Sequence, residues 1–272
     1  LGWIAESGVK VPDEKTLWQI SGGDRLTPQT PVTLFWENGQ GLRFERTLSL
    51  DEYFMITAKD TVTNNGTAAV TLHPYGLISQ KGQPDIISHS WLLLEGPIGY
   101  IGDQLIENTY GTMQKKPQQS WTVAQGWAAL NEKYWLTSVI PQQGEQLSFR
   151  MTYTGVPPKK GDKDLGRYQI DFTGAEKTIA PGQSASTENK IFVGAKQVLL
   201  LEDYAKKLGI PHFDLAVNFG WFWFLAKPFF YALHFMGHTI GNFGFAIIML
   251  TILIRSAVFP LTNTSYRSFA KL

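Results

Sequence analysis

The chain has 272 residues, enough for one large or two ordinary domains, and is 43% hydrophobic and 17% charged, which excludes a disordered polymer. A formal net charge of +1 argues against a nucleic-acid-binding surface. The absence of cysteine excludes disulfides, thiolate catalysis and Cys-ligated zinc.

Charge is unevenly placed. Asp214 is the last acid, and only Lys227, Arg255, Arg267 and Lys271 are charged beyond it. Residues 1–214 therefore carry 20 bases against 23 acids, and a sparsely basic, apolar region comes after them. The sequence begins at Leu1 without a signal peptide and reads as a piece of a longer protein, trimmed at both ends.

Residues 1–195 are predicted to be all-β. Short runs rich in Val, Thr, Phe, Tyr and Trp alternate with Gly, Pro and Asn clusters, at 32–36, 42–50, 53–64, 68–74, 126–140, 147–154, 168–173 and 186–193. Asn64-Asn65-Gly66 between the third and fourth runs predicts a hairpin, because Asn and Gly tolerate positive φ. So many strands with no helical period favour a large sandwich. Residues 111–119 and the charged stretch 157–166 are expected to be solvated surface loops, and Asp51 and Glu52 to be turn residues.

The period changes at Lys196–Leu208, which predicts a helix stopped by Gly209 and Pro211. This helix is expected to join the β domain (1–195) to the apolar C-terminal region, as a linker at 196–212. From Phe213 aromatic and aliphatic residues dominate. Pro228 suits the first turn of a helix. Lys227, Tyr231, His234 and His238 then form a polar stripe on an apolar surface, so the 213–240 region is expected to lie in a membrane interface, with Trp221 and Trp223 near the headgroups. The competing reading is an amphipathic helix packed on a soluble core.

Gly241-Asn242 breaks the chain before residues 241–272, read as a transmembrane helix and the start of a cytoplasmic segment. From Phe243 to Phe259 a helix spans about 25 Å, slightly short of a bilayer core, so it is expected to continue past Pro260, with a kink as one outcome. Arg255 lies inside this run. Inserting an arginine is unfavourable by about 2.5–3.5 kcal/mol and each Leu, Ile, Phe or Val returns about 0.3–0.6, so the segment still inserts. An ionisable group at that depth marks a functional site unless it snorkels to the headgroups. Thr251 shares its face, and either hydrates the site or bonds a backbone carbonyl of its own helix. Arg267 and Lys271, without acids, place this end in the cytoplasm and the β region on the opposite side.

Phe213-Asp-Leu-Ala-Val-Asn-Phe-Gly-Trp-Phe-Trp-Phe, Gly241-Asn-Phe-Gly-Phe-Ala-Ile-Ile and Arg255 through Pro260-Leu-Thr resemble the bacterial YidC-type membrane protein insertases of the Oxa/Alb/YidC superfamily. Gly126-Trp-Ala-Ala-Leu-Asn-Glu-Lys-Tyr-Trp-Leu-Thr-Ser-Val-Ile-Pro141 resembles the large periplasmic domain of the Gram-negative branch. The resemblance implies a mainly β fold, in which a large periplasmic β-supersandwich precedes the linker helix, the interfacial helix and the first core transmembrane helix. It implies a multi-pass protein of the bacterial inner membrane, with residues 1–212 periplasmic and the C-terminal end cytoplasmic. Arg255 would lie in a hydrophilic groove that receives nascent membrane segments, with Thr251 beside it. The implied partners are nascent membrane proteins, the Sec translocon, the ribosome and the phospholipid bilayer, with no nucleic-acid specificity. The remaining helices of the groove are absent from this sequence.

No catalytic residues, cofactor or metal are expected. His234 and His238 have the spacing of two zinc ligands, but Phe235 stands where a metalloprotease motif needs Glu. Asn65-Gly66-Thr67 is formally a glycosylation acceptor, for which the hairpin reading suffices. The alternative is a membrane-tethered carbohydrate-binding or carbohydrate-modifying β-sandwich. Nine tryptophans could stack on sugars, but catalysis would need converging groups, and His73 and His89 are the only histidines of the β region.

Overall fold

A computed structural model of the chain describes residues 1–5, 8–84, 94–159 and 163–269; His89 falls outside them. Two compact units are present, Leu1–Val217 and Asn218–Leu272. Among the described residues the first unit holds strands β1 (Gly2–Ala5), β2 (Gln19–Gly22), β3 (Val32–Glu37), β4 (Leu42–Leu50), β5 (Met55–Asn64), β6 (Val70–Lys81), β7 (Gly96–Ile101) and β8 (Gln104–Glu107). After helix α1 (Tyr110–Lys115) come β9 (Gln118–Val123), β10 (Gly126–Asn131), β11 (Trp135–Ile140), β12 (Leu147–Thr154), β13 (Arg167–Thr173), β14 (Lys177–Ile179), β15 (Ser184–Ala195) and helix α2 (Val198–Lys207).

The strands form two antiparallel sheets. The larger runs β2-β3-β4-β5-β15-β11-β10-β7-β8; the smaller runs β1-β6-β13-β12-β9, with β14 also on β6. Alternation along β12 and β13 turns Phe149, Met151, Tyr153, Tyr168, Ile170 and Phe172 toward Ile101, Ala128, Leu130 and Val139 of the larger sheet. A second core joins Trp3, Leu72 and Ile179 of the smaller sheet to Leu42, Phe44 and Val62 of the larger. The mainly β, two-sheet architecture expected from the strand runs is therefore present.

The larger sheet also has a covered outer face. Met55, Ile98, Trp127, Ala129, Leu136, Ile140 and Phe192 pack against Leu201 and Tyr204 of α2 and against Phe213 and Ala216 of a 3-10 turn (Phe213–Ala216). Trp127 Nε1 donates to the Pro211 carbonyl at 2.8 Å. The helix expected to link two regions is thus built into the β unit.

Four local expectations are corrected. The run 126–140 is two strands with a turn between them, Glu132 N donating to Trp135 O at 3.0 Å. Its continuous appearance in sequence arises because β10 is buried on both faces and does not alternate. Asn64-Asn65-Gly66 is no hairpin: β5 and β6 belong to different sheets. Buried Asn64 pins this crossing, accepting from Gly66 N at 2.9 Å and donating to the carbonyls of Ala68 at 2.8 Å and Ile179 at 2.9 Å. The stretch 111–119 is not a loop but α1, capped by Thr109 Oγ1 on Thr112 N, and the start of β9. Within 157–166, Asp164 is buried rather than solvated. Its carboxylate accepts from the Tyr153 hydroxyl at 3.1 Å, the Tyr168 hydroxyl at 2.7 Å, Gln114 Nε2 at 3.3 Å and Gly166 N at 2.9 Å.

Candidate functional site

The second unit is a helix pair, α3 (Trp223–Ile240) and α4 (Phe243–Phe269). The break at Gly241-Asn242 has a full physical account. Gly241 takes φ 73°, the left-handed conformation that glycine adopts without strain, and its N–H returns to the Gly237 carbonyl at 2.9 Å. Asn242 caps the next helix, its Oδ1 accepting from Gly244 N at 2.8 Å and Phe245 N at 3.3 Å. A Cβ on Gly237 would stand 2.5 Å from the Phe243 ring, so that ring needs a glycine beneath it. Sequence alone does not single out Gly237, whose only signal is its place four residues before the break.

The helix starts earlier than its proline suggests. α3 begins at Trp223, which puts Pro228 inside it rather than in the first turn. α4 continues through Pro260 to Phe269, as expected.

The stretch Phe243–Pro260 is long and apolar enough to cross a membrane, and Ala246 is its one buried residue. The core helix of a water-soluble protein with this composition would be buried; here Phe245, Ile248, Ile252, Leu253 and Phe259 are all more than half exposed. Arg255 is exposed within this surface. Thr251 Oγ1 donates to the Ile247 carbonyl at 2.7 Å, the intrahelical alternative that its position leaves open.

Of the predicted interface residues, Trp221 is 82% and Trp223 62% exposed. Lys227, Tyr231 and His234 are half-buried and His238 is exposed. The His234 and His238 rings lie 4.6 Å apart, and Phe230 stacks on His234 at 6.1 Å. No group of three or more His, Cys, Asp or Glu side chains able to hold a metal occurs among the described residues.

In the β unit a cleft of about 290 Å³ is lined by Trp3, Trp18, Arg46, Tyr75 and Leu77 among others. Arg46 is committed to Asp60, with Nε to Oδ1 at 2.6 Å and Nη2 to Oδ2 at 3.1 Å. His73, a group the carbohydrate-modifying reading would need, sits with Nδ1 3.3 Å from the Gly174 carbonyl and does not line the cleft. Elsewhere, burial and the Asp51 carboxylate push the Tyr204 hydroxyl up, and burial pulls the Lys196 amine down.

A family model described as the YidC periplasmic domain matches residues 1–232. The chain is 41% identical over 283 aligned positions to the membrane protein insertase YidC of Nitrobacter hamburgensis, covering all of this chain and 45% of that protein. The insertase YidC of Bradyrhizobium diazoefficiens is 38% identical, with 100% of this chain and 44% of that protein covered. That of Brucella melitensis is 39% identical, with 96% and 42% covered. The chain thus spans less than half the length of these curated relatives. Among solved structures, the GH36 alpha-galactosidase AgaA A355E of Geobacillus stearothermophilus aligns with TM-score 0.45 and 12% identity, over 72% of this chain and 30% of that one. A likeness at that level carries no argument about ligand.

Proposed function

The chain belongs to the YidC family of membrane protein insertases, and from that premise we propose that it supplies the extracytoplasmic β unit and the first core span of an inner-membrane insertase and chaperone. The observation that carries this reading is α4, an apolar helix with its large side chains exposed and one arginine within it. Exposure of such a surface is favourable in lipid and unfavourable in water. Residues 1–212 lie in the periplasm, and the basic end beyond Pro260 lies in the cytoplasm. Trp221 and Trp223 seat at the headgroups, and Lys227, Tyr231, His234 and His238 form the polar stripe of an interfacial α3.

Arg255 is the groove cation. Facing a water-lined cavity rather than acyl chains, its charge attracts acidic and polar parts of an incoming segment, and low local dielectric strengthens that attraction. Thr251 stands one turn away, its hydroxyl bonded to the helix, and adds polarity to the same wall. Insertion itself is driven by partitioning of the apolar segment; the groove lowers the desolvation barrier for its polar flanks, without cofactor or covalent chemistry. The substrates are nascent membrane proteins, handed over by the ribosome and the Sec translocon.

The test replaces Arg255 by Ala and by Lys in the intact protein and follows substrate insertion. Ala is expected to slow insertion of substrates with acidic translocated segments, and Lys to restore much of it. Undiminished insertion by the Ala variant for every substrate removes the assigned role of Arg255 and leaves the insertase assignment standing.

A further inference from the structure

The nine-stranded sheet has two chemically different ends. At one end its connections are residues 38–41, 65–69, 102–103, 124–125, 141–146 and 180–183, rich in Gly, Asn, Gln and Pro. None of these carries an exposed large hydrophobic side chain; Leu17, on the approach to β2 at the same end, is the exception. The other end differs. There the β4–β5 turn, the β10–β11 turn and the β15–α2 junction adjoin, because β5, β15 and β11 are neighbours. Tyr53 is 55% exposed, Phe54 62%, Tyr134 65% and Trp135 57%, and Val193 of β15 is exposed as well. The Phe54 carbonyl accepts from Val193 N at 3.4 Å and the Tyr134 carbonyl from Lys196 N at 2.9 Å, so both turns are fastened to the same stretch of β15 and its exit.

Phe54 holds φ 69°, a left-handed backbone that a bulky side chain strongly disfavours and that glycine would adopt freely. The turn is over-determined. Asp51 Oδ1 accepts from Tyr53 N and from Met55 N, each at 2.8 Å, Asp51 N donates to Met55 O at 3.0 Å, and the Tyr204 hydroxyl of α2 donates to Asp51 Oδ2. Strain kept in place by this many partners, with the ring it carries turned to solvent, points to use of that ring.

Shape and chemistry select the occupant. Both segments are turns at a sheet end rather than strand edges. Trp, Tyr and Phe with a nearby lysine are the residue types of a membrane–water interface, and Lys133 Nζ lies 5.0 Å from the Tyr134 ring centroid.

We propose that the turns 51–54 and 132–135 form an aromatic foot that seats the β unit on the phospholipid headgroups of the outer leaflet. Tyr53, Phe54, Tyr134 and Trp135 enter the interfacial layer and Lys133 meets lipid phosphate. The inference rests on the membrane reading of α4. The cysteine-free sequence allows single labels without background. The full chain, with one NBD-labelled cysteine from Tyr53→Cys, Tyr134→Cys, Leu17→Cys or Ile252→Cys, is reconstituted into phosphatidylcholine–phosphatidylglycerol vesicles carrying headgroup or acyl-chain nitroxide lipids. Leu17 is 86% exposed and lies beyond the opposite end of β2, which makes it the off-membrane control. Headgroup nitroxide is expected to quench the labels at 53 and 134 several-fold more than the label at 17, and acyl-chain nitroxide to quench the label at 252. Labels at 53 and 134 no more quenched than that at 17, with 252 still quenched, overturn the foot alone. An unquenched label at 252 overturns the membrane reading and the foot together.

Discussion

Asp164 is an anion enclosed by neutral donors. Burial alone would raise its pKa, but hydrogen bonds from Tyr168, Gly166 N, Tyr153 and Gln114 outweigh burial and hold it below the ordinary carboxylate value. Its folded-state pKa is therefore depressed, so the carboxylate stabilises the fold above the unfolded value of about 4, and that share is lost as pH falls through the lower folded value. Asp164→Ala leaves the buried Tyr153 and Tyr168 hydroxyls short of an acceptor and is expected to cost about 1–3 kcal/mol, read as a lowered thermal midpoint at neutral pH. Asp164→Asn should cost less at neutral pH and remove part of the acid sensitivity. Identical acid-unfolding curves for the Asn variant and the parent chain would contradict this account. Sequence alone cannot reveal this residue, because Pro-Pro-Lys-Lys-Gly-Asp-Lys-Asp has the composition of a solvated turn and the burying tyrosines come from β12 and β13.

The helix pair shows what local chemistry decides at the scale of an element. Gly237 and Phe243 depend on each other across the Gly241-Asn242 turn. Gly237→Ala should destabilise the pair by pushing the Phe243 ring aside, and Phe243→Ala in the same chain should remove most of that effect. The coupling is expected in the range of about 0.5–3 kcal/mol typical of touching residues, measured by unfolding in detergent micelles with circular dichroism. Additive effects would sink the packing argument. The break itself is legible in sequence because helix stop and start signals are local. So are β4, β12 and most of β5, since alternation needs no knowledge of partners. The crossing after Asn64 is not legible: a hairpin and a sheet-to-sheet crossing both use Asn and Gly, and the difference lies in Ile179, 115 residues away. Strand β10 hides for the opposite reason, since α2 and the smaller sheet bury both its faces and erase the period. At the candidate site, Arg255 and the stripe from Lys227 to His238 are visible as polar residues on apolar helices.

At the scale of the whole molecule, the two units ask for different solvents. The β unit keeps Phe149, Phe172, Trp127 and Phe192 inside, two sheets and a helix deep, and presents polar connections at one end. Among the described residues the helix pair has no comparable interior, and α4 turns most of its large apolar side chains between Phe243 and Phe259 outward. A boundary between water and lipid satisfies both. The full chain expressed in a bacterial host should therefore sediment with membranes and resist alkaline carbonate extraction. A chain ending at Val217 should stay in the aqueous fraction with the thermal midpoint of the β unit nearly unchanged, because its three hydrophobic clusters lie wholly within Leu1–Val217. Carbonate release of the full chain would mean that α4 is covered by protein rather than by acyl chains. The role proposed for Arg255 would then fall with it, since a guanidinium on a protein-covered helix has no membrane charge barrier to lower.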